Sequence, residues 1–192
     1  MKQVFVIAGP TGAGKSSILK ELIARFPGRI ELAVNATTRA MRPGEADGVD
    51  YHFMSNERFL AEEAEGAIPE HYHRAETDTY YGTYQPDIDA RLARGKVVAS
   101  QTQIVGAKYL KEKYGATTIF IMPASIGEFE KRVRSRSHVS DVEWAERLAH
   151  TRREIEEDAP WYDHRLANEE GKFTETLEKI IDTLKKEGYV LS

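Results

Sequence analysis

Residues Gly9-Pro10-Thr11-Gly12-Ala13-Gly14-Lys15-Ser16 place three glycines, a lysine and a hydroxyl in one short turn. The spacing is G-x-x-x-x-G-K-[ST] in full. Glycines let successive backbone N–H groups turn inward around phosphate oxygens, and a helix N-terminus behind them adds partial positive charge. In such a loop Lys15 reaches the β- and γ-phosphates, and the Ser16 hydroxyl ligates Mg²⁺. The pattern arises by accident in a chain of this length on the order of 1% of the time. The residues from Gly9 to Ser16, with Ser17 beside them, therefore predict an ATP or GTP site. They do not say what receives the phosphate.

A second group suits a phosphomonoester. Arg39 and Arg42 lie three residues apart with Tyr51 downstream. Guanidinium forks bind phosphate bidentately, and a phenol adds a neutral donor. Taken alone, two exposed arginines with salt-bridge partners describe an ordinary loop equally well. A third group, Arg132, Arg134, Arg136 and Arg147, flanks a short polar break. Phosphoryl transfer needs positioning and charge neutralisation, which closing arginines supply. Interleaved acids, Asp141, Glu143 and Glu146 among them, equally fit a solvated helix face.

These groups need a scaffold. Short apolar runs predict strands at Gln3–Ala8, Ile30–Val34, Val97–Thr102 and Thr117–Met122, most of them continuous enough for strands covered on both faces. Helices are predicted at Lys15–Phe26, Pro86–Ala93, Ser125–Ser135, Asp141–Glu157 and Phe173–Lys186. The alternation predicts an α/β domain with a mostly parallel sheet flanked by helices. Asn35 to Tyr84 is richer in Gly, Thr, Tyr and charge, and reads as an inserted lobe.

The 192 residues carry 41% hydrophobic and 9% aromatic side chains, enough for one packed domain. The absence of cysteine excludes disulfides, thiolate metal sites and cysteine nucleophiles. A net charge of -4 argues against a surface that coats nucleic acid or an anionic membrane. That charge is uneven, because Lys131–Arg153 holds seven basic and three acidic residues. His71, His73 and His138 lack ligand spacing, and Trp144 and Trp161 suit helix packing. The first apolar run is too short for a membrane span or signal peptide, so a soluble, cytoplasmic protein is expected, a monomer or homodimer.

The block T-T-R-x-x-R-P-G-E from Thr37 to Glu45, followed by D-G-x-D-Y-x-F from Asp47 to Phe53, resembles the guanylate kinase family. Weaker matches at Glu70, Tyr80-Tyr81-Gly82-Thr83, Lys131–Arg147 and Asn168 extend the resemblance over essentially the whole chain. It implies a P-loop nucleoside monophosphate kinase core with a parallel sheet. A monophosphate-binding lobe would span 35–84 and a helical lid 131–154, with core segments 1–34, 85–130 and 155–192. By the same resemblance Arg39, Arg42, Tyr51 and Tyr81 hold the acceptor phosphate. Asn35, Glu70, Thr83 and Gln101 contact the base. Arg132 and Asn168 join the donor site, and Lys15, Arg136 and Arg147 serve catalysis. Arg134 is left as surface. The implied reaction is ATP with GMP, and dGMP, giving the diphosphate, with Mg²⁺. A carboxylate at Glu70 suits guanine, whose N1–H and exocyclic amine both donate, whereas adenine presents an acceptor at N1.

Two positions depart from the family pattern. Asn35 stands where a serine is usual, and Gln101-Thr102-Gln103 stands where an Asp-x-Asp sequence is usual. Gln101 can still hydrogen-bond a base, but without charge. The pair motivates an alternative in which the same fold phosphorylates a different nucleotide or a sugar phosphate. A non-catalytic binding module is the remaining reading, and the intact loop weighs against it.

Overall fold

The computed structural model describes residues 2–123, 125, 127, 129–130, 134 and 140–192. Strand β1 (Val4–Ala8) is buried along its whole length. Side chains alternate across a strand, so Phe5 and Ile7 face one hydrophobic cluster and Val4, Val6 and Ala8 the other. The first cluster is completed by Ile18, Leu19 and Leu22 of α1 (Lys15–Arg25) and by Leu177, Ile180, Ile181 and Leu184 of a C-terminal helix. The second takes Ile88, Ala107 and Leu110 from helices on the opposite face. A strand covered this way must be apolar throughout, which is why its sequence shows no alternation.

Five parallel strands form the main sheet, in the order β2 (Ile30–Leu32), β7 (Val97–Ser100), β1, β8 (Thr117–Pro123) and β9 (His164–Asn168). Val4 pairs with Val98 on one side of β1, and Phe5 pairs with Thr117 on the other. The chain after β1 crosses to β2 and later returns to β8 on the other side. This reversal of strand order beside β1 leaves a crevice at the carboxyl ends, where open parallel sheets bind ligands.

A second sheet of four strands, in the order β4 (His52–Phe53), β3 (Ala36–Thr37), β6 (Thr79–Gly82) and β5 (His71–Arg74), is inserted between β2 and β7. It packs on α2 (Asn56–Ala64) through a small core of Ala36, Phe59 and Ile68. Ser55 caps α2, its side chain accepting the Arg58 N–H at 3.2 Å. The chain re-enters the main sheet through α3 (Gln85–Ala93) and continues through α4 (Ile104–Tyr114). Helix α5 (Asp141–Arg153) runs into one turn of π-helix at Glu154–Asp158, and α6 (Phe173–Lys186) closes the fold.

The predicted strands and helices 15–26, 86–93 and 173–186 correspond to β1, β2, β7, β8, α1, α3 and α6. Strand β7 ends two residues before the expected Thr102, and the expected helix 141–157 changes to the wider π spacing after Arg153. The expected helix at Ser125–Ser135 falls mostly outside the described residues, as do Arg132 and Arg136. Among the described residues no helix is long and apolar enough to cross a membrane.

The C-terminal segment is tied to the sheet by one hydroxyl. Tyr189 donates to the Val4 carbonyl and accepts the Thr117 N–H at 3.0 Å, all within the interior. Its ring meets Phe5 edge to face at 5.9 Å. Tyr189→Phe strands two buried backbone groups and is expected to lower stability by about 1–3 kcal/mol. Urea unfolding should show the midpoint falling with the slope unchanged.

Candidate active site

Gly9, Gly12 and Gly14 all take positive φ, so the loop after β1 follows a path that L side chains resist. The turn is braced from β9. Asn168, almost fully buried, donates from Nδ2 to the Ala13 carbonyl at 2.9 Å. A β-carbon on Gly14 would stand 2.4 Å from that nitrogen, so the glycine serves close approach as well as torsion. Asn168 therefore acts on the shape of the loop.

Lys15 begins α1 and curls back over its own loop, donating to the Gly9 and Pro10 carbonyls at 2.6 and 2.9 Å. Burial pulls its ammonium below the ordinary lysine value, opposed by the Glu154 carboxylate. Glu154 lies in the π turn after α5. Burial pushes its carboxyl up, against His150 and Lys15. Single π turns often mark functional positions, yet nothing in the sequence singles Glu154 out among the neighbouring acids.

Ser16 is exposed, and its Oγ donates to Gln101 Oε1 at 3.3 Å. Gln101 follows β7, and its backbone carbonyl accepts from Asn35 Nδ2 at 3.2 Å. The loop, the end of β7 and the entry to the second sheet thus meet at one glutamine. With Tyr51 and Asp50, these three residues line a cleft of ≈ 400 Å³. Asp50 was not singled out by the sequence.

The arginine group is organised from within. Arg39 holds Glu45 in a two-point ion pair, at 3.0 and 2.8 Å, and Glu45 also accepts the Arg42 N–H at 2.8 Å. These bonds hold the Glu45 carboxyl below its usual range. The Arg39 guanidinium lies 5.5 Å from the Tyr51 ring centre and 5.6 Å from that of Phe53. Tyr51 in turn meets Tyr81 at 6.1 Å. The structure therefore gathers Arg39, Tyr51 and Tyr81 on one patch, with the Arg42 side chain exposed at its edge. Burial raises the Tyr51 phenol, with Tyr81 adding to the shift, so Tyr51 remains a neutral donor at physiological pH.

Glu70 precedes β5, and its Oε1 accepts the Thr83 N–H at 3.1 Å. Thr83 is fully buried, and its hydroxyl finds no hydrogen-bond partner among the described residues. Against this pair lies Gly106 in the first turn of α4. A β-carbon there would stand 2.2 Å from Thr102 Oγ1 and 2.7 Å from Glu70 Oε1, so a side chain at this position would have to displace both. Asn35 and Gln101 form a separate contact, and Gln101 sends its side chain to the loop.

Arg147 is exposed on α5. Arg134 bonds Glu130 at 2.8 Å and Asp141 at 3.1 Å and lies over Trp144. Among the described residues no cluster of three acidic or histidine side chains forms a metal site.

A sequence model of the family described as guanylate kinase matches residues 1–187. The guanylate kinase of Thermosynechococcus vestitus is 40% identical over 169 residues, covering 88% of this chain and 86% of that protein. That of Rhodospirillum rubrum is 39% identical over 154 residues, covering 79% and 69%. The crystal structure of guanylate kinase from Anaplasma phagocytophilum superposes with a TM-score of 0.70 at 26% identity, covering 98% of this chain and 87% of that one. The chain belongs to the guanylate kinase family, P-loop phosphotransferases that phosphorylate GMP.

Proposed function

We propose that ATP binds the Gly9–Ser16 loop and passes its γ-phosphoryl group to GMP held by a lobe of residues 35–84, under a lid of residues 131–154. The observation that carries this reading is the shared cleft. Ser16 of the donor loop and Asn35 and Tyr51 of the lobe line one space, joined through Gln101.

Each binding step exchanges an internal partner for a substrate. Lys15, satisfied by the Gly9 and Pro10 carbonyls, releases them for phosphate oxygens. Asn168 keeps the loop amides in place while this happens. Arg39 exchanges the Glu45 carboxylate for the acceptor phosphate, helped by Arg42, Tyr51 and Tyr81. Glu70, oriented by the Thr83 N–H, accepts from the guanine N1–H and exocyclic amine. The orphaned Thr83 hydroxyl is available to the same base. Arg132, Arg136 and Arg147 neutralise charge on the transferring group as the lid closes and excludes water.

The donor set suits Mg²⁺ held chiefly by the nucleotide. Ser16 keeps lone pairs beyond its long bond to Gln101, and Mg²⁺ needs few protein ligands when phosphates supply the rest. When bound, it would supply positive charge that offsets the phosphate oxygens.

Three outcomes test the proposal. In a steady-state panel with ATP and Mg²⁺, kcat/KM for GMP should exceed that for AMP, CMP and UMP by roughly 10²-fold or more. Parity with AMP would sink the guanine assignment. Lys15→Ala should lower kcat by about 10²–10³-fold while circular dichroism stays native. Glu70→Gln places a donor against the guanine donors, and its KM for GMP should rise by roughly 10–100-fold with KM for ATP unmoved.

A further inference from the structure

The chain passes between core and lobe at residues 34–35 and 84–85, and one carboxylate stands at both crossings. Asp87, in the first turn of α3, accepts the Val34 N–H through Oδ2 at 2.9 Å, and α3 itself begins at the second crossing. Arg91 holds the carboxylate with bonds of 2.6 and 3.0 Å and reaches Glu31 of β2 at 2.8 Å. Asp87 is thus a fixed part of the core.

His52 faces it from the lobe. Its backbone N–H donates to the Asn35 carbonyl at 2.8 Å, and its ring rests on Tyr84 with centres 4.5 Å apart. Its Nε2 is buried and makes no hydrogen bond among the described residues, stopping 3.5 Å from Asp87 Oδ1. At that separation the two groups are within ion-pair range but Nε2 makes no hydrogen bond, and a shift of roughly 0.6 Å would bring it to hydrogen-bond length. Either the neutral ring protonated at Nε2 or the imidazolium can donate. The contact spans the two crossings between core and lobe.

We infer that His52 and Asp87 form a hinge clasp that closes when the acceptor nucleotide draws the lobe onto the core, making His52 a positioning residue for the acceptor alone. The clasp rests on the reading that residues 35–84 hold GMP. Its free energy appears in acceptor affinity, because the bond forms only in the closed arrangement. The donor loop reaches the hinge only indirectly, through Gln101 and Asn35, so KM for ATP should move far less than KM for GMP.

The test is bisubstrate kinetics on a short series. His52→Phe keeps a ring for Tyr84 and removes Nε2. KM for GMP should rise about tenfold, the loss of one charge-assisted bond, with kcat and KM for ATP within about twofold. His52→Gln carries an amide nitrogen to the reach of Nε2 and should return KM for GMP to within about threefold of the parent. His52→Asn is too short and should resemble His52→Phe. An unchanged KM for GMP in His52→Phe overturns the clasp, as does a matching rise in KM for ATP. If His52→Phe melts too early to assay, the Gln and Asn variants decide, and equal behaviour of the two rejects the inference. Arg39→Ala separates the failures. If it raises KM for GMP while the His52 series does not, only the clasp is wrong. If it leaves KM for GMP unmoved, the lobe reading falls and the clasp with it.

Discussion

The structure depends on β1 having no free side. Strands pair along both its edges and helices cover both its faces, so the chain leaving Ala8 can emerge only at the carboxyl end of the sheet. There the backbone must reverse into α1 within a few residues, which demands positive φ at Gly9, Gly12 and Gly14. The same reversal turns the amides of the loop inward and places Lys15 at a helix start. A packing constraint on one strand thereby produces an anion-binding shape before any ligand is considered. Asn168 extends the constraint to the opposite side of the sheet, since its contact with Ala13 exists only because β9 pairs with β8.

Local pattern made part of this legible. The glycine loop, the continuous apolar strands and the amphipathic face of α6 are written in consecutive residues, and each was predicted near its observed bounds. Strand β9 was not, because His164-Arg165-Leu166-Ala167-Asn168 mixes charge with apolar residues at an edge covered less completely than β1. Helix α4 was missed for a different reason. Its first turn holds Gly106, an unfavourable helix residue, set close to the Glu70 carboxylate. That contact joins residues far apart in sequence, and a single sequence carries no record of such pairings.

The site residues divide the same way. Arg39, Tyr51 and Tyr81 lie together on one patch, and Glu70 lies against Thr83. Gln101 behaves differently, its side chain turning to Ser16 and only its carbonyl serving Asn35. Residue type alone could not choose between those partners, because an amide offers donors and acceptors at once. Glu154, Asp50 and Asp87 were invisible for a related reason. Acids are common in this chain, and only three-dimensional placement separates these from the rest.

If Arg39 holds the acceptor phosphate as proposed, its pairing with Glu45 has a consequence for turnover. A guanidinium already neutralised by its own chain gives an arriving phosphate only the difference between two anions, which moderates affinity. On departure the balance reverses. The tethered carboxylate is present at high effective concentration and reclaims the arginine as the diphosphate loosens. Glu45 in this role is a built-in competitor that speeds the emptying of the site, so that strong recognition of a doubly charged group does not become a trap for the product.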